Sequence, residues 1–567
     1  MRSRKLSSER FHPTYFFPVL FALVLLPYWI HLGTSTLWDA NEAFYAETPR
    51  EMLESGDWVT PRFNYEVRFQ KPPLAYWVVL PFYGAFGISE GSERLPMALA
   101  ASVTVLLIWL LGVELFNSPT GWIAALMTAT TFRLVFLARR HLVDILLVLF
   151  VVASFYALAR CRRHPESSCR WLFFVWLALG FLSKGPVAVV LVGATFALFV
   201  LWESHSAGQS VRAWVGRARG VIRLRWATGL ALFAAIAAPW YVMIYRRHGG
   251  GAIRRFFFED NLGRYASMTF GPERGWTYYF GVFGADFFPW SLFFVALLVW
   301  SVSARERRRL WLARSEVRLC LVWLVVVFVF FTVARNKQEY YILALYPAAA
   351  LLLADGWAAL AGRSLLRRVL ALATTLVLAL AGTAFAILAA TLWDDWLPRL
   401  AGIILATGAL MVLPGLYGRR DASGALPLAL LLGLFYVSAN LFTLPALETY
   451  KPVAPLCRAA TLDAAVKTGE PARFGYYRFT APSMVFYLRR PVFEIYDRPR
   501  LVTLWNSAAP LYLLMTEEDY AELESRGHLR GRVVARAPKF STSLRSILKS
   551  LRSGEKMIKR VVLVTQE

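Results

Sequence analysis

The chain has 567 residues, of which 57% are hydrophobic and 17% are charged, whereas charged residues make up about 25% of an average soluble protein. The apolar residues come in blocks of roughly 20, the length of a membrane-spanning helix, so a water-soluble enzyme, a disordered protein and a fibre are excluded. An outer-membrane barrel is excluded because its strands alternate apolar and polar residues. The 62 basic and 37 acidic residues give a net charge of +25, which basic loops of a membrane protein explain without a nucleic-acid partner.

The apolar blocks predict a polytopic α-helical membrane protein. They run over 15–33, 72–88, 95–116, 121–138, 142–160, 171–183, 185–202, 226–245, 285–303, 317–334, 340–362, 369–392, 400–417 and 425–445. Basic segments indicate the cytoplasmic ends. They are the N-terminus and the short loops around Arg162, Arg217, Arg307, Arg367 and Arg419.

This assignment places both ends of block 72–88 outside the membrane. The block also begins with two prolines, which disfavour a continuous helix. We therefore predict juxtamembrane helices in the first outside loop, about 13 transmembrane helices, and an outside C-terminus.

The composition becomes more polar near residue 448. Strand-like runs at 473–477, 492–496, 510–515 and 560–564 alternate with helical stretches at 453–466 and 516–525. We predict a transmembrane domain over 1–447 and a small soluble α/β domain over 448–567, which is a normal domain size.

The first outside segment carries acidic residues. Asp39 follows the first apolar block, and Glu42 and Tyr45 follow at helical spacing, so one helix face can present them together. They are candidates for catalysis and substrate binding. The alternative is that Asp39 only caps a solvated interfacial helix.

Two further outside segments carry charged residues, one just before two prolines and the other at the start of an apolar block. Lys71 precedes two prolines and suits a lipid phosphate, although an interfacial lysine reaching toward headgroups is the alternative. Arg139 and Arg140 lie just before Asp144, which falls at the start of an apolar block, where a carboxylate is costly unless it is paired. A local ion pair of Arg140 with Asp144 is the alternative to a functional site.

Cations beside aromatic rings mark two more outside segments. The residues concerned are Arg254, Arg255, Lys337, Tyr340 and Tyr341. Such a combination suits a lipid phosphate next to a hydrocarbon chain, and ordinary interfacial anchoring is the alternative. Together with the carboxylates, these segments indicate a transferase for lipid-linked substrates that carry phosphate.

The sequence gives no indication of a required cofactor. No P-loop or Rossmann glycine-rich turn is present. His141 and His248 lack a companion at zinc spacing, and the four cysteines are scattered. Because Asp39, Glu42 and Asp144 offer oxygen ligands, opportunistic binding of a divalent metal stays open.

The four motifs, in this order, resemble those of the C-type membrane glycosyltransferases, which include the protein O-mannosyltransferases and their bacterial relatives. They are the acids at 39 and 42, the Lys-Pro-Pro-Leu run at 71–74, the Arg-Arg-x-x-x-Asp run at 139–144, and the Lys-x-x-x-Tyr-x-Leu run at 337–343 with a later proline. Within that group, the chain is most similar to the bacterial lipid A aminoarabinose transferases. Gln70 departs from the pattern, because the resemblance implies an acidic residue at this position.

The resemblance implies transfer of 4-amino-4-deoxy-L-arabinose from undecaprenyl phosphate to lipid A phosphates, which gives resistance to polymyxin-type peptides. The implied partners are the lipid-linked aminosugar, lipid A and membrane lipids. The implied location is the bacterial inner membrane with the active site facing the periplasm. We expect the chain to act as a monomer.

The reaction chemistry suggests roles for the candidates. A prenyl phosphate leaving group needs preorganised positive charge more than a general acid, and the donor phosphate candidates are Lys71, Arg254, Arg255 and Lys337. Asp39 can serve as base for a hydroxyl acceptor; with a phosphate acceptor, it can bind the sugar ammonium or orient the nucleophile. Asp144 and Glu42 are the other catalytic candidates. The substrate-binding candidates are Tyr45, Arg139, Arg140, Tyr340 and Tyr341.

Two other functions compete with this one. A related polyprenyl-phosphate-sugar transferase would modify protein or another glycan. A transporter for a lipid-linked sugar would commonly show internal repeats and charges near the bilayer midplane; the sequence shows no repeat, and its charges cluster at one face.

Overall fold

The computed structural model describes residues 16–39, 41–164, 168–206, 225–266, 273–303, 305–361, 364–418, 424–466, 472–507, 509–540 and 558–566. The basic N-terminus and the loops around Arg217 and Arg419, on which the predicted orientation partly depends, lie outside the described residues.

Most of the described chain is helical. The α-helices are Phe16–Trp29, Asn41–Ser55, Leu74–Trp77, Leu80–Phe86, Glu90–Leu115, Ser118–Ala129, Phe132–Ala138, Asp144–Arg163, Cys169–Lys184, Pro186–Ser206, Trp226–Arg254, Arg264–Ala266, Tyr278–Asp286, Trp290–Ser303, Arg305–Leu312, Ser315–Val333, Tyr346–Ala361, Ser364–Leu392, Leu400–Gly418, Ala425–Ser438, Leu444–Glu448, Val453–Val466, Met484–Leu488, Arg498–Trp505 and Glu517–Ser525. The π-helical segments are Arg255–Gly263 and Ala439–Thr443, and the 3₁₀ segments are Glu339–Leu345 and Leu397–Arg399.

Within the described residues, nine helices are long and apolar enough to cross a membrane, or up to eleven if each bent pair is one span. The bent pairs are Ser118–Ala129 with Phe132–Ala138, at 65°, and Tyr278–Asp286 with Trp290–Ser303, at 117°. Two shorter helices, Phe16–Trp29 and Cys169–Lys184, occupy the two remaining predicted spans. The predicted polytopic helical fold is confirmed, and each predicted span has a helical counterpart.

The block at 72–88 forms two short helices, Leu74–Trp77 and Leu80–Phe86, of 4 and 7 residues. Neither approaches the roughly 20 residues that a span requires. Gly87 ends the second helix with a positive φ of 78°, a conformation that favours glycine. These are the predicted juxtamembrane helices.

Small residues bring some of the long helices into close contact. A Cβ atom added at Gly112 would lie 2.5 Å from the Cα atom of Gly121 on the next helix. Gly382 and Gly402 make a similar contact, since a Cβ at Gly402 would lie 2.5 Å from the Gly382 carbonyl oxygen. Such backbone contacts are typical of helices packed in a membrane.

The C-terminal part of the chain contains a five-stranded mixed sheet. After the hairpin strands β1 (Arg62–Phe63) and β2 (Glu66–Val67), its strands are β3 (Arg473–Tyr477), β4 (Val492–Ile495), β5 (Leu511–Thr516), β6 (Arg532–Phe540) and β7 (Ile558–Thr565). The order is β4-β3-β5-β7-β6; β3 is parallel to β4 and β5, and β7 is antiparallel to β5 and β6.

The predicted small α/β region is therefore present, and four of its five strands occur where the sequence predicts them. Strand β6 was missed because basic residues interrupt its apolar pattern and only Ala537 is buried along its length. The short helices Met484–Leu488 and Arg498–Trp505 were missed as well. The exact division at 447/448 stays a prediction.

The sheet is attached to the β1–β2 hairpin by specific hydrogen bonds. The Asn64 side-chain amide donates to the Val492 carbonyl oxygen at 2.9 Å, and the Val492 N–H donates back to Asn64 at 2.8 Å. Asn64 thus continues the hydrogen bonding of edge strand β4. Phe63 is buried in the same hydrophobic core as Phe474 and Leu514, so residues near 63 and the sheet form one packed unit.

Candidate active site

Four cavities follow one another, because neighbouring cavities share wall residues. We name them the apolar cavity (about 580 Å³), the lysine cavity (about 60 Å³), the arginine cavity (about 280 Å³) and the amphipathic cavity (about 480 Å³). The first two share Lys71, Lys184 and Tyr341, the second and third share Asn41, Leu142 and Tyr340, and the last two share Trp38 and Asp39. Together these neighbouring cavities form the candidate site, and we call their order, from the apolar to the amphipathic cavity, the route.

The apolar cavity suits a hydrocarbon chain. Most of its wall is hydrophobic, with Val187, Val190, Phe257, Phe258, Leu262 and Phe330 among its members. Lys71 and Lys184 stand where it meets the lysine cavity. A long lipid in this cavity would therefore have two ammonium groups beside its polar end.

The lysine cavity contains an acid–base pair from two adjacent helices. Asp144 begins helix Asp144–Arg163, and Lys184 ends helix Cys169–Lys184. Their side chains form a buried ion pair. The structure thus pairs Asp144 with Lys184 rather than with Arg140.

Lys184 was missed in the sequence, although a signal was available. It stands at the end of an apolar span in the run Ser-Lys-Gly-Pro, and an ionisable residue at such a position is costly unless it has a function or a partner. Gly185 allows the close turn after it, with a φ of 73° and a position where a Cβ would meet the Phe256 ring at 3.0 Å. The Lys184 ammonium also lies over the Tyr341 ring, 4.6 Å from its centroid.

Lys71 lies where the sequence predicts a phosphate-binding lysine, in the wall shared by the apolar and lysine cavities. Gln70 beside it accepts a hydrogen bond from Arg68 at 2.6 Å. The Arg68 guanidinium in turn lies 3.6 Å from the centroid of the Phe44 ring. The amide at position 70 therefore orients Arg68 in a wall of the lysine cavity, without supplying a carboxylate.

Tyrosines complete this region. Tyr45 lines the lysine cavity and stacks on His141, with 5.0 Å between ring centroids. Tyr340 lines both the lysine and arginine cavities, and Tyr341 lines the apolar and lysine cavities. The structure therefore brings these three predicted substrate-binding residues to the walls of the site, together with Lys71 and Asp144.

Glu42 lies in the wall of the arginine cavity but is occupied by structural contacts. Arg94 donates to both carboxylate oxygens, at 2.7 and 3.0 Å, and the Trp38 N–H donates at 2.8 Å. Arg94 also donates to the carbonyl oxygens of Leu32 and Ser35. This geometry favours a role in holding the loop before Asp39, and a catalytic role for Glu42 stays a prediction.

Asp39 lies in the wall between the arginine and amphipathic cavities. The N–H and hydroxyl of Ser483, in the C-terminal part of the chain, donate to its two oxygens at 2.7 and 2.8 Å. Asp39 is exposed at the cavity wall, but desolvation by the surrounding residues raises the pKa of its carboxyl from 3.8 to about 6, against the opposing effect of Ser483 and of the nearby Lys539 and Lys451 charges. A carboxylate that titrates near neutrality suits a general base.

The amphipathic cavity joins an apolar wall to two lysines. Its hydrophobic wall includes Phe385, Leu388, Leu392 and Leu447 from helices of the membrane region. Lys451 donates to Ser35 and to the Thr36 carbonyl oxygen, each at 2.7 Å, and Lys539 lies over the Phe479 ring at 4.0 Å. The sequence analysis missed both lysines, because the cavity forms only when the C-terminal sheet packs against the membrane region.

Four predicted residues do not reach these walls. Arg139 donates to the carbonyl oxygens of Pro27 and Ile30 at the end of the first helix. Lys337 is buried and donates to the Ala334 carbonyl oxygen at 2.7 Å. Arg254 and Arg255 are exposed. The structure therefore separates them from Lys71, the remaining donor-phosphate candidate.

In the described part of the chain, no three His, Cys, Asp or Glu side chains are grouped so that they could hold a metal ion. Asp39, Glu42 and Asp144 are instead engaged by Ser483, Arg94 and Lys184, respectively. That no metal is required stays a prediction.

Comparisons with known proteins agree with this architecture. Residues 70–241 match the family described as dolichyl-phosphate-mannose-protein mannosyltransferase. The crystal structure of ArnT from Cupriavidus metallidurans bound to undecaprenyl phosphate superposes with a TM-score of 0.74, at 22% identity, over 97% of this chain and 98% of that one. The resemblance to the C-type membrane glycosyltransferases is confirmed. At this identity, the likeness to ArnT establishes the fold.

Two curated relatives share a more specific name. An undecaprenyl phosphate-alpha-4-amino-4-deoxy-L-arabinose arabinosyl transferase of Pseudomonas fluorescens is 28% identical over 61% of this chain and 58% of its own length. The enzyme of the same name from Shewanella sediminis is 27% identical over 60% of this chain and 58% of its own length. The chain thus spans less than two thirds of the length of each of these two relatives.

Proposed function

We propose that the protein is a membrane glycosyltransferase that takes a sugar from a polyprenyl phosphate and transfers it to a second lipid. The observation that carries this proposal is the series of neighbouring cavities, linked by shared wall residues, from an apolar cavity, past carboxylates and lysines, to an amphipathic cavity. One lipid can occupy each end, and their polar groups can meet between them.

The donor site in this proposal is the apolar cavity. Its hydrophobic wall suits a prenyl chain, and Lys71 and Lys184 lie at the end where the phosphate would be. When the bond between the sugar and the donor phosphate breaks, its electrons remain on that phosphate, and fixed ammonium groups stabilise the growing negative charge. The prenyl phosphate is then the leaving group, and no general acid is required.

The new bond forms between the anomeric carbon of the sugar and an oxygen of the acceptor. Asp144 is already paired with Lys184, so a donor phosphate that attracts Lys184 leaves the Asp144 carboxylate available to the sugar. Asp39 stands farther along the route, where it can bind a sugar ammonium or orient the acceptor.

For the substrates, we propose 4-amino-4-deoxy-L-arabinose on undecaprenyl phosphate as donor and lipid A phosphate as acceptor. The names of the two curated relatives support this choice. Lys451 and Lys539 in the amphipathic cavity support an acidic lipid as acceptor. The proposed location is the bacterial inner membrane with the site facing the periplasm, and the proposed effect in cells is polymyxin resistance.

A second candidate is transfer to a hydroxyl group of protein or of another glycan. The observation in its favour is the pKa of Asp39, about 6, because a hydroxyl acceptor requires a base whereas an ionised phosphate does not.

The test is transfer by the purified chain in detergent, with undecaprenyl phosphate-linked aminoarabinose as donor and lipid A as acceptor, followed by mass spectrometry. Lipid A is expected to gain one aminopentose residue, and Lys71→Ala is the control with reduced transfer. Donor consumption without modified lipid A would instead favour another acceptor. A donor that stays intact with every acceptor would contradict the proposed function.

A further inference from the structure

The adjacent residues Arg139 and Arg140 have different environments. Arg139 is engaged by carbonyl oxygens at the end of the first helix. Arg140 turns the other way and forms part of the wall of the arginine cavity. The sequence pattern does not distinguish the two residues. In the structure, Arg140 lines the arginine cavity, whereas Arg139 lines none of the four cavities of the candidate site.

The Arg140 guanidinium is held flat between two aromatic rings. Its central carbon lies 3.6 Å from the centroid of the Trp38 ring and 3.7 Å from that of the Phe136 ring. Because aromatic rings cover the guanidinium plane, its N–H groups are left to hydrogen-bond along the edge. A planar edge with parallel N–H groups is the geometry that binds phosphate through two hydrogen bonds.

Arg140 also differs from Arg133, which lines the same cavity, and from Arg94, which is bonded to the wall residue Glu42. Arg94 makes a two-bond pair with Glu42, and Arg133 makes one with Asp286, at 2.8 and 3.1 Å. Among the residues that the structure describes, Arg140 has no ion pair and no side-chain hydrogen bond. Burial and the charges of Arg94, Arg133 and Arg139 lower the pKa of Arg140 to about 9 despite attraction from Glu42. An anion in the cavity would relieve this repulsion.

The position of Arg140 indicates whether this anion would come from the donor or from the acceptor. The donor phosphate has Lys71 and Lys184, which line the apolar and lysine cavities, whereas Arg140 lines neither. Trp38, which stacks on Arg140, also contacts the Lys451 ammonium at 3.9 Å and lines the amphipathic cavity. Arg140 therefore stands on the acceptor side of the route.

We propose that Arg140 is the specificity-determining residue for the acceptor and binds its phosphate group through the edge of the guanidinium held by Trp38 and Phe136. This inference rests on the proposed function and deepens it, since it assigns recognition of the acceptor phosphate to one side chain. The same residue selects a phosphate-bearing lipid over one that offers only hydroxyl groups.

The experiment measures binding of three lipids to the full-length protein in detergent. The probes are lipid A, the same lipid after enzymatic dephosphorylation, and undecaprenyl phosphate. The wild-type protein is expected to bind lipid A at least about tenfold more tightly than the dephosphorylated lipid. Arg140→Gln is expected to remove that preference and to leave the affinity for undecaprenyl phosphate within about twofold.

Arg140→Lys is the matched variant, because it keeps the charge but loses the two-bond edge. It is expected to retain only part of the preference and to raise the KM for lipid A more than it lowers kcat. If Arg140→Gln does not elute as a folded, monodisperse protein, Arg140→Lys alone is used to test the inference.

The outcomes separate the two proposals. If both variants keep the full preference for phosphorylated lipid A, the inference is wrong while the proposed function stands. If both variants lose affinity for undecaprenyl phosphate but still prefer phosphorylated lipid A, Arg140 binds the donor phosphate, and the inference is again overturned. A wild-type protein that binds neither lipid A nor undecaprenyl phosphate contradicts both proposals.

Discussion

The proposed donor side and the proposed acceptor side of the candidate site are built differently. On the donor side, Asp144 begins one long helix, Lys184 ends the next, and Lys71 lies in the loop before the juxtamembrane helix Leu74–Trp77. On the acceptor side, Asp39 meets Ser483, more than 440 residues away in the chain. The donor side therefore depends on helix packing, whereas the acceptor side depends on how the C-terminal sheet region is attached.

The largest effect is expected from the buried pair on the donor side. Lys184→Met leaves the Asp144 charge without its partner, which costs about 3–5 kcal/mol in the free energy of unfolding. Thermal denaturation in detergent measures this loss. The double variant Asp144→Leu/Lys184→Met is the matched control, because it replaces the pair with apolar side chains. It should recover stability and still transfer no sugar, and a double variant that transfers normally would remove the pair from the mechanism.

The next effect concerns donor binding. Lys71→Ala removes one ammonium group at the end of the apolar cavity, and a lost charge-assisted contact is worth about 1.5–3 kcal/mol. Affinity for undecaprenyl phosphate is therefore expected to fall about ten- to hundredfold in a direct binding measurement. Lys337→Ala is the control variant, since Lys337 lies outside the cavity walls. An equal loss of affinity for undecaprenyl phosphate in both variants would contradict the assignment of Lys71, and not Lys337, to the donor site.

A smaller effect is expected from the contact that joins the two regions. If the Asp39 carboxylate acts in transfer, the rate rises with pH through about 6 as Asp39 loses its proton. Ser483→Ala removes a hydrogen bond that favours the charged form, so the pKa of Asp39 rises and the profile moves toward higher pH, by about one unit.

Ser483→Thr keeps the hydroxyl and is the control that should restore the original profile. Donor affinity should stay unchanged in Ser483→Ala, because the Ser483 hydroxyl donates to Asp39, which does not line the apolar or the lysine cavity. An unshifted profile would show that Asp39 does not set the pH dependence of transfer.

The smallest effect is expected from a chelator. The three carboxylates in the site are held by Ser483, Arg94 and Lys184 rather than grouped together, and the lysines can neutralise phosphate without a metal. Transfer measured with and without EDTA is therefore expected to be equal. Loss of transfer that one added divalent ion restores would show that the carboxylates rearrange to bind metal.

The sequence predicted the membrane fold well, because burying a helix in lipid requires a long apolar run that is visible residue by residue. Five residues chosen from the sequence, Lys71, Asp144 and the three tyrosines, line one cavity in the structure. Their functional roles stay predictions. The sequence analysis missed strand β6, in which lysine and arginine occupy partly exposed positions and conceal the strand pattern.

What the sequence by itself determined is the polytopic helical fold, the order of its predicted spans and the presence of a small α/β region. The outside position of the charged motifs stays a prediction. Only the tertiary structure decided which charges meet. Two adjacent arginines have opposite surroundings, Lys184 rather than Arg140 neutralises Asp144, and Ser483 holds Asp39. The physical reason is that helical spacing fixes neighbours within one turn, whereas an ion pair between distant segments depends on packing that the local sequence does not contain.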